Sequence, residues 1–340
     1  MFGKLMNSYY YGKSGKGDYT KDDLPTTRWQ LFWEMLRVRF AGLMRLNLTY
    51  VIVWLPCIVV LVMGAMSLLY GLMPAEDAAV VDPAAVVEEG VLPSAEETGV
   101  IALGPDELLG AVQSVLWITL LLLIPCIGIT GPFTAGLCYV TRNWARDEHA
   151  FPWSDFKDAV KENWKPSLVI SLITGLMPLI VYVSWQYYGQ MAAQNAIMTI
   201  PQMVVLMLGV LWSFVVTYTY PMIITYRMRL KDVLRNSFLL AIGRLPMSVA
   251  IRLLHCVPVI IAFLAAMYLN TLWAILGLAA YYILMGFGLS RFVTASYVNG
   301  VFDRFINSRI DGAEVNRGLN TDTDDDDDEA EEAEETPEEE

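Results

Sequence analysis

Few residues in this sequence have the types and spacing that chemistry requires. Gly12-Lys13-Ser14 has the ending of a phosphate-binding loop, but Asn7 stands where the pattern needs its first glycine, and no strand precedes it. The two histidines, His149 and His255, are far apart, and Cys57, Cys126, Cys138 and Cys256 stand singly in or beside apolar runs. That spacing suits neither a metal site nor a thiol pair, so the cysteines read as small buried hydrophobes. No Gly-x-Ser-x-Gly or His-Glu-x-x-His string occurs, which leaves a hydrolase without an anchor. Neither a catalytic residue nor a cofactor or metal site is expected.

The richest stretch is Arg142–Lys157, which mixes aromatics with both signs of charge. Within it Arg146, His149, Trp153 and Asp155 place a cation, a titratable ring, a large aromatic and a carboxylate close together, a mix suited to docking a partner. The competing reading is an elbow whose aromatics rest at the lipid interface. Ion-coupled transporters bury titratable groups in their spans. Here the apolar runs lack Asp, Glu and Lys, and only Arg252 and His255 stand about a turn inside one. Arg252 is expected to snorkel and His255 to pack or sit at the interface, so a proton-driven pump is not expected.

The elements that must position these residues are membrane helices. The chain has 340 residues, of which 55% are hydrophobic and 17% charged. Its apolar runs are long enough to cross ~30 Å of hydrocarbon, where the backbone must satisfy its own hydrogen bonds. The expected fold is all-α and polytopic, with spans near 48–72, 111–131, 167–188, 197–221, 247–268 and 271–291.

Charge sets the orientation. The last twenty residues hold fourteen acids and no base, and the rest of the chain holds 23 bases against 22 acids. The loop at about 73–110 carries nine acids and no Lys or Arg. The bases divide as eight before the first span, five after the second, six after the fourth and four at or after the sixth. All therefore fall on one side of a six-span chain, which places both termini in the cytoplasm and the 73–110 insertion outside. This basic face reads as the inner membrane face, with the lipid bilayer as partner and no nucleic acid.

Residues 1–47 form a cytoplasmic arm, in which Thr27-x-x-Gln30 is a capping box opening an amphipathic helix. That helix is expected on the inner leaflet or packed on cytoplasmic loops. The membrane domain runs over 48–310, and 311–340 is expected to be a disordered acidic tail. Lys157–Trp164 resembles Lys231–Phe238, 74 residues on, suggesting a parallel repeat of span, basic amphipathic helix and span. Gly131-Pro132 is expected to bend the chain where the second span leaves the membrane.

Leu46-Asn47-Leu48, Ile124–Gly136 and Tyr139–Asn143 resemble the YesL-like family of bacterial membrane proteins. Arg146–Lys157 and the Gly/Lys-rich N-terminal arm resemble its clostridial branch; the acidic insertion and tail depart from the family pattern. The resemblance implies an accessory protein of the bacterial cell membrane, encoded beside sugar ABC transporters and sensor–regulator pairs, with no biochemical activity attached to it. A non-enzymatic accessory protein of oligosaccharide uptake, docking a transporter subunit or a sensor, is thus the first reading. The alternative is a permease for a small neutral or amphipathic solute, lined by uncharged residues such as Thr119, Thr174, Ser213 and Ser248 beside Pro125, Pro178 and Pro258.

Overall fold

The structure is a computed structural model that describes residues 25–72 and 105–320. The described residues are helical and contain no strand. The helices are α1 (Arg28–Leu72), α2 (Pro105–Ala145), α3 (Ser154–Ala192), α4 (Thr199–Thr225), α5 (Leu230–Gly243), α6 (Leu245–Tyr268), α7 (Thr271–Tyr281) and α8 (Phe287–Phe305). A π-helical turn, Tyr282–Gly286, joins α7 to α8 without a break. Six helical stretches are long and apolar enough to cross a membrane, as the apolar runs predict. The protein is an all-α polytopic membrane protein. The calls on the Gly12 loop, most of the 73–110 insertion and the fourteen-acid tail lie outside the described residues.

Several helices continue beyond their spans at the base-rich end. Fourteen residues of α2 follow Gly131, a length of about 20 Å at the usual helical rise. Most of the buried apolar side chains gather around these continuations. One core joins Leu43 and Tyr50 of α1, Leu137 and Trp144 of α2, Phe156 of α3 and Phe292 of α8. The other joins Tyr218 and Met222 of α4, Val233 of α5 and Phe302 of α8. Packing is therefore densest at the basic end, while the apolar windows in the spans bury few residues or, in α6, none.

Three expectations can be set against this fold. The N-terminal amphipathic helix is not a separate element, because α1 runs unbroken from Arg28 through the first span. The capping box does open it: Thr27 N donates to Gln30 Oε1 at 3.2 Å and Gln30 N to Thr27 Oγ1 at 3.3 Å. Asn47, the one strongly polar residue where a break would fall, is instead used by the packing. Its Nδ2 donates to the Tyr282 and Ile283 carbonyls at 3.0 and 2.7 Å, and its Oδ1 accepts from Gly288 N at 2.8 Å. It thereby satisfies backbone groups beside the π-helical turn, where the regular ladder is interrupted.

The second concerns Gly131-Pro132, where a bend is expected and α2 continues as one helix. Pro132 cannot donate to the Gly128 carbonyl, but Ser171 Oγ of α3 donates to it at 2.6 Å. Gly131 serves close approach, since a Cβ there would collide with Ser171 Oγ and the Ser167 carbonyl oxygen. The third is residues 311–320, which are not a free tail. Asn316 N donates to Asp303 Oδ2 at 3.3 Å, Asn320 N donates to the Pro25 carbonyl at 3.1 Å, and Leu319 packs on the first core.

Of the suggested repeat, Lys157–Trp164 lies inside α3, whereas Lys231–Phe238 forms most of the separate α5. Arg244, with φ −120° and ψ 34°, interrupts the helix between α5 and α6, and α3 has no such interruption.

Candidate functional site

The four residues singled out in the Arg142–Lys157 stretch do not form one surface. Arg146 is buried: its Nε lies 3.1 Å from Glu148 Oε1 and its Nη2 donates to the Glu314 carbonyl at 3.3 Å. Asp155 accepts from Phe151 N at 2.9 Å and so closes the turn that begins α3. Trp144 Nε1 fixes the same elbow by donating to the Ala150 carbonyl at 3.2 Å. Arg146 and Asp155 are thus braces. His149 and Trp153 are exposed, and with Phe151 they form the outward ledge. Phe151 is 61% and Trp153 59% exposed, the Lys157 ammonium lies 5.0 Å from the Trp153 ring, and His149 packs edge-on to Phe151.

Beside this elbow a polar cap closes the basic end. Asp303 is nearly fully buried and accepts from Arg28 Nη2 at 2.7 Å and Asn307 Nδ2 at 2.6 Å. Arg28 also donates to Asn316 Oδ1 at 2.7 Å. One carboxylate thereby ties the start of α1, the end of α8 and the 311–320 segment together, with its charge and lone pairs answered. Tyr226 donates to Asn307 Oδ1 at 2.7 Å, and its burial pushes the phenol up to about 12, so it stays a donor at any ordinary pH.

Two arginines sit within the spans. Arg252 does not snorkel; its Nη2 donates to the Ser213 carbonyl of α4. Arg291 of α8 turns inward, its guanidinium 5.5 Å from the Tyr220 ring and close to Cys138. His255 Nε2 is 3.1 Å from the Ser290 carbonyl oxygen and 3.4 Å from Thr294 Oγ1, which makes it a packed polar link between α6 and α8. Nearby, the Tyr218 hydroxyl meets Ser248 Oγ at 2.9 Å and Tyr297 at 3.0 Å, joining α4, α6 and α8.

A groove of about 1340 Å³ lies between the start of α1, the first half of α6 and the length of α8. Phe32, Leu36, Ile251, Leu254 and Val293 are among its apolar walls, Arg28, Arg244 and Arg304 stand at its basic end, and His255 and Pro258 lie deeper. Sequence reasoning missed this groove, Asn47, Arg291 and Asp303. Asp303 alone had a readable signal: an acid directly after the apolar Val301-Phe302 near the end of the last long helix needs a partner. A signal for close helix packing was also present, because Ser167, Ser171 and Gly175 recur every fourth residue on α3.

These features can be set beside known proteins. A family described as "Protein of unknown function, DUF624" matches residues 111–185, which cover the spanning part of α2, the elbow and most of α3. An "Uncharacterized protein YesL" from Bacillus subtilis (strain 168) is 27% identical over 135 residues, 39% of this chain. The match spans 62% of that relative's length. No solved structure matches the chain. The chain is therefore similar to the DUF624 family through its α2–α3 hairpin and, over 135 residues, to YesL.

Proposed function

We propose that this protein is a non-enzymatic accessory subunit of the bacterial cell membrane that docks a partner of carbohydrate uptake on its basic, cytoplasmic face. The observation that carries the reading is the Phe151–Trp153 ledge. Two large aromatic rings are held outward on an elbow braced by Trp144, Arg146 and Asp155, a rigid presentation that costs little entropy on binding. Segregation of the bases supports a cytoplasmic position for this face and for both termini. The assignment to sugar uptake, with an ABC transporter subunit or a sensor as the docked partner, rests on the YesL-like resemblance alone.

The test pairs stability with partner recovery for each variant. Phe151→Ala with Trp153→Ala should leave the melting temperature in detergent nearly unchanged, because both rings are mostly exposed, and should abolish co-purification of an oligosaccharide ABC permease subunit. Arg146→Ala should lower stability by about 1–2 kcal/mol, since it takes a donor from the part-buried Glu314 carbonyl and leaves Glu148 with Arg317 alone. Undiminished recovery with the double variant would end the docking reading and leave the rings as lipid-interface anchors.

The groove favours a second reading, a permease for an amphipathic solute, because it opens a path from the basic end into the bilayer. Solute flux in proteoliposomes that is lost on filling the groove would support that reading.

A further inference from the structure

The groove between α1, α6 and α8 is more than an unpartnered apolar face, because its two ends differ in chemistry. Along α6 it runs from Arg244 to Pro258, about 20 Å at the helical rise. That is about two-thirds of the ~30 Å hydrocarbon core, the depth of one leaflet together with its headgroup layer. Its volume of about 1340 Å³ exceeds the ~300–1,000 Å³ typical of sites for compact ligands, and most of its wall is aliphatic or aromatic.

The basic end carries charge that nothing among the described residues cancels. Of its three arginines, Arg28 is answered by Asp303. Arg244 and Arg304 form no ion pair among the described residues, and their guanidiniums bracket Phe305 at 5.6 and 5.7 Å from its ring. Arg244 Nε at the start of α6 and Ser296 Oγ on α8 are each buried without a hydrogen-bond partner. Two uncancelled cations at the mouth of a deep apolar slot call for an anion attached to an apolar chain.

We propose that this groove binds an anionic membrane lipid, with its phosphate between Arg244 and Arg304 and its acyl chain along Phe32, Leu36, Ile251 and Val293. The guanidinium fork suits the phosphate oxygens. Only an occupant that enters from within the bilayer can use both ends of the slot. The proposal is independent of partner docking, which uses the Phe151–Trp153 ledge on a different face of the elbow.

The experiment is lipid binding to the delipidated full chain in detergent, followed by native mass spectrometry and thermal shift. Phosphatidylglycerol should bind and raise the melting temperature; diacylglycerol, which has the chains without the phosphate, should do neither. Arg244→Gln with Arg304→Gln should weaken phosphatidylglycerol binding about tenfold or more, as loss of charge-assisted contacts implies. Ile251→Trp should block the lipid with every charge in place, which keeps the test open if the arginine variant fails to fold. Lys157→Gln with Lys161→Gln, on the exposed start of α3, should change nothing. Equal loss in that lysine variant would reveal general attraction to a basic surface and overturn the proposal. An equal shift by inorganic phosphate alone would also overturn it, as would undiminished binding to the groove-filled variant.

Discussion

The α2–α3 and α6–α7 hairpins are each a pair of antiparallel apolar helices, yet they pack in opposite ways. Between α2 and α3 the backbones nearly touch. A Cβ at Gly136 would come within 2.8 Å of the Phe156 carbonyl oxygen, and one at Gly175 within 3.1 Å of Ile124 Cα. Ser167, Ser171 and Gly175 line the facing stripe of α3. In the α6–α7 hairpin, by contrast, Ser248 and Ala274 are the buried residues, and Ile261, Phe263 and Trp273 are 60%, 63% and 72% exposed. Its turn is well made, with Asn270 Oδ1 accepting from Leu272 N at 2.8 Å, but its helices barely engage the bundle. In lipid, apolar side chains gain little by leaving one hydrocarbon for another, so small residues decide which helices close up. The loosely held hairpin is also the one that leaves the lateral groove open.

Breaking the tight hairpin should give the largest effect. Gly131→Leu puts a side chain where Ser171 Oγ and the Ser167 carbonyl already stand, and the backbone atom cannot rotate away. We expect a loss of about 3 kcal/mol or more, the upper range for overpacking, read as a collapse of the melting temperature in detergent. A variant as stable as the parent would show that α2 and α3 are not packed as described.

Ser171→Ala probes the same seam more gently. Pro132 leaves the Gly128 carbonyl without its usual donor, and Ser171 Oγ replaces it at 2.6 Å. The same hydroxyl lies 3.0 Å from the Ser167 and Leu168 carbonyls, but a single proton serves one acceptor at a time, and the inter-helix contact is the shortest. Interhelical hydrogen bonds in membranes average ~0.6 kcal/mol, and orphaning a buried carbonyl raises the cost, so about 1 kcal/mol is expected. Ser171→Thr, which keeps the hydroxyl but adds a methyl, should show whether the loss is polar or steric.

The contrast between the hairpins was only half legible in the sequence. The number of long apolar helices follows from the length of the apolar runs, which is a property of the chain alone. The stripe at Ser167, Ser171 and Gly175 was also visible, but small residues in a span do not say which helix they face. Asn47 shows the deeper limit. In sequence it is a polar residue where the arm meets the first span; in the fold it answers the backbone beside a π-helical turn 235 residues later. Nothing local to Tyr282–Gly286 announces that turn. Arg146 and Asp155 misled for a related reason, since a charge in a loop looks the same whether it braces the loop or faces a partner.

The smallest effect should come from Gly277→Leu in α7, the same chemical change as Gly131→Leu. A Cβ at Gly277 would meet nothing within 4 Å, and its neighbours Ile275 and Leu276 are 59% and 49% exposed. A leucine there should point into lipid or detergent without displacing anything. Glycine is also a poor helix former by about 1 kcal/mol relative to the best residues, so the substitution can add a little helix stability. The melting temperature should therefore hold steady or rise slightly, against the collapse expected at Gly131. The measurement is thermal stability of both variants in one detergent, with the purified oligomeric state recorded alongside. A large loss at Gly277 would mean that the outer face of α7 is covered in the assembled protein. The two hairpins would then differ in what packs on them, and not in how tightly they pack.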